Sequence, residues 1–246
     1  MAKVKPKSNR VLANLSSSDT DLLATYLEPV ALELRQKLEI PNKPISHIYF
    51  VEHGIVSVVA TGPRRQSIEV GVIGLEGYTG WPVVMGGDRS PLDTFVQVAG
   101  HGHRIASDDL RRVMTLSPTL VKVLHAHVQV FITQISQMAL ANGLAKIEER
   151  LARWLLMAQD RMRSNELSVT HEFLSMMLAV RRSGVTVALS LLQSRGLLNI
   201  KRGLIVIIDR EGLETVAAKY YGVAEIETDR LLGRTEVLAV DWVAKV

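Results

Sequence analysis

The chain has 246 residues, 47% of them hydrophobic, with a formal net charge of +4 and no cysteine. That length allows two domains of ordinary size, and the missing thiols exclude disulfides, thiolate metal sites and cysteine-ligated iron–sulfur clusters. No apolar run reaches membrane-spanning length, and MAKVKPKSNR is not followed by the apolar stretch of a secretory signal. A cytoplasmic protein with no membrane partner is expected.

Residues 1–10 read as a mobile basic arm. Ser18 or Asp19 is placed to cap a helix carrying Leu22, Leu23, Tyr26 and Leu27, ending before Pro29. From 30 to 105 short apolar runs recur, at 48–51, 55–60, 68–72 and 95–99, between repeated glycines. Ser67-Ile68-Glu69-Val70-Gly71-Val72 alternates strictly, as a half-buried strand does. Short strands at this spacing point to a closed or sandwiched antiparallel β domain.

After Arg104 the pattern turns helical. Ser107 or Asp108 can cap a short helix through Met114, and Pro118 sits near the start of a long one reaching about 142. Leu120, Val123, Leu124, Val128, Phe131, Ile135, Met138 and Leu140 make that helix apolar over more than one face. Such a breadth suits either a buried core helix or a helix that also packs on a second copy. Asn142-Gly143 offers a hinge. Beyond it Ile147, Leu151, Trp154, Leu155 and Ala158 share one face, with Glu148, Glu149, Arg150 and Arg153 opposite.

The most informative stretch is 167–208. Thr170 can cap a helix whose inward face is Leu174, Met177 and Leu178, and Ala179-Val180-Arg181 fits a tight turn. A second helix follows over 182–194, with Val185, Leu189 and Leu192 on one side and Arg182, Ser183, Thr186, Ser190 and Gln193 on the other. Gly196 stops it. Two apolar runs then flank Lys201-Arg202-Gly203, where the glycine can supply the positive φ of a hairpin tip. Helix, turn, helix and basic-tipped hairpin form the pattern of a winged helix-turn-helix. Between Glu172 and Asp209 there is no acidic residue, while Arg181, Arg182, Arg195, Lys201 and Arg202 fall inside the gap. A solvated basic face is the bland alternative, but periodicity, turn, wing and charge agree on a DNA-binding module. Two short amphipathic helices are expected past Asp209, at 211–221 and 225–232.

Other candidates are weaker. His101 and His103 would share a strand face, an admissible metal pair without a third ligand nearby except Asp108 or Asp109. His125 and His127 on a helix would point to different sides, and Met176, Met177 and Trp154 read as core. No P-loop, nucleophile elbow, zincin motif or dinucleotide fingerprint occurs, so no enzyme, catalytic residue or metal site is expected.

The arrangement resembles the CRP/FNR family of bacterial transcription regulators. The resemblance rests on the glycine-punctuated β domain ending in VQVAG, the long helix, EERLARWLLMAQDRM and the helix-turn-helix. The family's R-[IL]-A-x-x-L-L stands here as Arg150-Leu151-Ala152-Arg153-Trp154-Leu155-Leu156. It implies an α+β fold: an N-terminal antiparallel β-roll (jelly-roll-like) with a long dimerisation helix at about 118–142, and a C-terminal winged helix-turn-helix. The corresponding domains are a cyclic-nucleotide-binding-like sensor over 1–143 and a DNA-binding unit with a helical extension over 144–246. Implied partners are double-stranded DNA bearing a palindromic operator, a second copy of the chain, and RNA polymerase.

Carried onto this sequence, the resemblance makes Arg182, Ser183 and Val187 base readers within a recognition helix that also carries Thr186. It sets Thr170, His171 and Arg181 against phosphate, and Lys201 and Arg202 in the wing. Serine and valine stand where the family often has glutamate and arginine, so an unusual operator is implied. The corresponding effector pocket spans Gly77, Tyr78, Thr79, Arg89 and Ser90. Tyr78 replaces the family's glutamate, and Leu92-Asp93 replaces its phosphate-binding arginine and neighbour. Cyclic AMP is therefore not expected, and no cofactor is assigned. In a second reading, the β-roll is an effector-binding module whose winged helix makes protein contacts. The acid-free interval favours DNA.

Overall fold

The computed structural model describes residues 8–63 and 66–233; most of the basic arm read at 1–10 lies outside them. Two short helices lead in, α1 (Arg10–Ala13) and α2 (Ser17–Ala24). Ser16, not Ser18 or Asp19, caps α2, its Oγ accepting from the Asp19 amide at 3.1 Å. Asp19 is instead buried and accepts from Ser117 and Thr119.

The strands follow as β1 (Glu28–Leu32), β2 (Lys37–Glu39), β3 (His47–Thr61), β4 (Ser67–Ile73) and β5 (Asp93–Ala106). They form one antiparallel sheet in the order β1-β5-β3-β4, with β2 also on β5. The expected runs at 48–51 and 55–60 belong to a single strand. Gly54, at φ +101°, carries the chain through a register shift, and a Cβ there would lie 2.7 Å from the Val98 carbonyl. The alternation read at 67–72 does not hold throughout: Glu69 is 1% exposed and Ile68 and Val70 are half-buried, while Val72 is buried as expected.

Helix α3 (Trp81–Val84) precedes β5, and α4 (Ser107–Leu116) follows it without a side-chain cap, so neither Ser107 nor Asp108 plays that part. Helix α5 (Pro118–Leu144) is capped by Ser117 and runs straight through Asn142-Gly143. The break comes at Ala145 and Lys146, where Lys146 becomes the N-cap of α6 (Ile147–Met162). Helix α6 is buried nearly all round from Leu151 to Gln159. Arg153, expected opposite the apolar face, is buried and donates through Nε to the Tyr220 carbonyl at 2.8 Å.

The C-terminal part comprises β6 (Glu166–Leu167), α7 (His171–Met177), α8 (Arg182–Ser194), β7 (Leu198–Lys201), β8 (Leu204–Ile207), α9 (Arg210–Ala217), a 3-10 turn at Ala218–Tyr220 and α10 (Val223–Leu232). Its small antiparallel sheet runs β6-β8-β7. Helix α10 returns to the N-terminal half and packs on α5. There Gln129 donates to Glu227 at 2.7 Å and Arg10 pairs with Asp229 at 2.8 Å.

Among the described residues, three apolar clusters hold the fold. One, with Val11, Ile48, Phe50, Tyr78, Leu120 and Leu124, lies among the N-terminal helices and the sheet. A second fills the sheet interior around Val51, Val96 and Phe131. The third joins Ile55, Val72 and Met138 to the α6–α8 core at Leu151, Leu155, Leu174 and Leu189, so the two halves share buried surface.

Candidate nucleic-acid interface

Local chemistry builds the C-terminal face. The Thr170 hydroxyl accepts from the Phe173 amide at 3.2 Å and fixes the start of α7. Ala179 adopts φ +48°, turning the chain within the expected interval, and the Arg150 guanidinium ties the turn to α6 through the Leu178 carbonyl. Helix α8 has the bounds read from sequence, Arg182–Ser194, and buries Val185, Ala188, Leu189 and Leu192. Its opposite side exposes Arg182, Ser183, Thr186, Val187, Ser190 and Gln193, with Arg181 exposed at the N-cap. First-turn amides of a helix have no intrahelical acceptor, so this end favours anions before any side chain contributes.

His171 Nδ1 lies 3.1 Å from Thr186 Oγ1, and that hydroxyl donates to the Arg182 carbonyl at 3.1 Å. The pair therefore joins the start of α7 to the middle of α8. On the wing, Lys201 faces Leu204 across the hairpin, with Arg202 and Gly203 as its tip, and Gly203 takes φ +74°. Lys201 and Arg202 are exposed. Among the described residues, no carboxylate pairs with Arg181, Arg182, Arg195, Lys201 or Arg202. Thr170, His171, Arg181, Arg182, Ser183, Thr186 and Val187 thus gather on one module, with Lys201 and Arg202 on the hairpin beside it.

The effector-pocket residues do not gather. Tyr78 is wholly buried, its hydroxyl donating to the Leu124 carbonyl at 2.8 Å and its ring 4.4 Å from that of His127. Gly77 packs against His127, and Thr79 Oγ1 accepts from the Tyr49 amide at 3.2 Å. Ser90 is buried and accepts from the Leu92 amide, whereas Arg89 is exposed and paired with Asp88 at 2.8 Å. The Tyr78 side chain packs beside α5, while the Arg89 charge is at the surface with Asp88.

The histidines separate too. His101 is exposed and stacked on His53 at 5.8 Å, His103 is buried near Glu52, His125 is exposed, and His127 is buried. Burial pushes the His127 imidazole down to about 4. Among the described residues no group of three or more His, Cys, Asp or Glu could hold a metal ion, and no single helix is long and apolar enough to cross a membrane. Met177 and Trp154 are core, but Met176 is exposed.

Sequence reasoning missed the polar seam between the halves. Trp154 Nε1 donates to Glu69 Oε1 at 3.0 Å, and Ser57 Oγ donates to Glu69 Oε2 at 2.6 Å. Burial raises the Glu69 carboxyl to about 7, outweighing those hydrogen bonds and the charges of Arg161 and Arg153. Nearby, Arg161 and Glu76 form a buried ion pair at 2.7 Å. The Glu69–Trp154 contact spans 85 residues of sequence and leaves no local signal.

Residues 149–216 match the family model of the Crp-like helix-turn-helix domain. No curated protein sequence matches the chain. Among solved structures, FixK2 from Bradyrhizobium japonicum has a TM-score of 0.68 at 16% identity, covering 78% of this chain and 98% of that one. The c-di-GMP-responsive global regulator CLP from Xanthomonas campestris gives 0.65 at 16%, covering 79% and 100%. A CRP/FNR-family transcriptional regulator from Thermus thermophilus gives 0.63 at 18%, covering 77% and 98%. At these identities the structures establish a shared fold, and the family model establishes the helix-turn-helix domain within it. The chain thus shares the fold of CRP/FNR-type regulators and carries a Crp-like helix-turn-helix domain at 149–216.

Proposed function

We propose that the protein acts as a homodimer on a palindromic operator, with residues 1–143 sensing a signal for the DNA-binding residues 144–246. RNA polymerase is the proposed partner of the bound complex. The observation that carries this reading is the outer side of α8, which is free of acidic residues and continuous with a basic wing. On it Arg182 suits the O6/N7 edge of guanine, with Ser183, Thr186 and Val187 beside it at the bases. Arg181, His171, Lys201 and Arg202 suit phosphate. The Thr170 hydroxyl, although it accepts from α7, keeps its proton for a phosphate oxygen.

Dimerisation is supported by α5, where Ile132, Leu140 and Leu144 are 55%, 43% and 72% exposed at spacings of four residues or their multiple. That stripe would be covered by the same helix of a second copy. Cyclic nucleotide is not part of the proposal, because Tyr78 is buried against α5 and Asp88 holds Arg89 at the surface.

Selection of the purified protein on random duplexes at two salt concentrations tests the reading. A two-fold-symmetric motif with half-sites about one helical turn apart is expected. Sequence-blind binding that disappears steeply with salt would contradict it and favour a winged helix that contacts protein.

A further inference from the structure

Val187 is the anomaly on the α8 surface. The buried residues Val185, Ala188, Leu189 and Leu192 define one arc of the helix, and at 100° per residue Val187 lies roughly 150° from its centre. It is 69% exposed, with Ser183 and Ser190 as its exposed neighbours along the same side. Val187 borders an open cleft with Ile147, Glu148, Ser183 and Leu191, but the fold does not bury it. A β-branched residue is a weaker helix former than alanine, and an exposed one gains no burial.

What surrounds it limits what it could meet. Ser183 and Ser190 are small, so the helix can approach a groove floor closely. The Thr186 hydroxyl is engaged by the Arg182 carbonyl and His171. Arg182, in the first turn of α8, is five positions before Val187, and Val187 stands in the second turn, still in the N-terminal half that enters a major groove. The apolar feature that a major groove offers is the C5-methyl of thymine.

We propose that Val187 is a specificity-determining residue that packs on a thymine C5-methyl, so that each operator half-site carries a thymine within one or two base pairs of the guanine approached by Arg182. This rests on the proposed specific reading of DNA by α8, and it adds the base class and the contacting group. Cytosine and uracil lack the methyl and are disfavoured at that position; 5-methylcytosine carries it.

The test uses the operator recovered from random duplexes. Each thymine of the half-site is replaced in turn by deoxyuridine, in both half-sites together, and binding is measured for the full chain and for Val187→Ala. Deoxyuridine removes only the methyl and leaves base pairing intact. At one thymine the wild-type protein should lose about fourfold per half-site, the worth of one buried methyl. The same replacement should leave Val187→Ala unaffected. Far-ultraviolet circular dichroism checks the variant, whose exposed position and better helix former leave no reason for unfolding. Loss of affinity at a thymine to the same extent in both proteins, or no thymine effect at all, overturns the inference. If the motif still contains a guanine whose discrimination vanishes in Arg182→Ala, specific reading survives and the Val187 role alone falls. If no motif is recovered, both fall.

Discussion

Glu69 shows how a single buried group sets a measurable property. Its carboxyl stands at about 7 in the folded protein against 4.5 for a free side chain. Between those values the folded state holds a proton that the unfolded chain has released. Stability therefore falls as pH rises through this window, by an amount on the order of 3 kcal/mol when complete. His127 acts with the opposite slope. Its imidazole is at about 4 against 6.5, so stability is lost as pH falls through that interval. The two slopes oppose each other where the windows overlap, and the wild-type profile conceals both. Glu69→Gln should separate them: its denaturant midpoint should exceed the wild-type midpoint increasingly as pH rises towards 8, then by a constant margin. The same margin at pH 5 and pH 8 would mean that Glu69 is ionised in the fold throughout.

At the level of elements, what could be read from sequence was what neighbouring residues decide. Thr170, the turn at Ala179 and the apolar spacing of Val185, Leu189 and Leu192 are local; α7 starts after the expected cap and α8 has the expected bounds. The wing follows from Gly203 between two apolar runs. Positions decided by distant packing were not legible. Glu69 in an alternating strand reads as solvated until Trp154 is placed against it. Arg153 reads as surface until the turn at Tyr220 covers it. The hinge moved because Asn142 and Gly143 tolerate a break without requiring one, whereas Lys146 and Glu149 hydrogen-bond across the start of α6.

The wing and α5 carry their own tests. Lys201→Ala with Arg202→Ala should reduce the slope of log affinity against log salt by about 0.9 for each phosphate no longer neutralised, with discrimination among sequences unchanged. An unchanged slope would remove the wing from the interface. Ile132→Glu with Leu140→Glu places charges on the exposed stripe of α5 and should yield a folded monomer by sedimentation. A dimer of unchanged strength would put the interface elsewhere.

In the whole molecule, α6 and α7 rest against the N-terminal sheet, and α8 packs on α6 and α7. The shared cluster from Ile55 and Val72 to Leu151 and Leu174 holds this arrangement, with Trp154 to Glu69 and Arg161 to Glu76 as its polar fastenings. Trp154→Phe keeps most of the ring and removes the N–H donor, leaving Glu69 with Ser57. It should speed amide exchange at the seam and leave α8 as protected as before. Simultaneous loss of protection in both would make the C-terminal half inseparable from the seam.

Whether the acid-free side of α8 reads sequence is decided by comparing Arg182→Ala with wild type on selected and scrambled duplexes across salt. The selected sequence should lose about 1–3 kcal/mol of its preference over the scrambled one. The salt slope should change by no more than about one phosphate's worth. An undiminished preference in the variant would contradict the account.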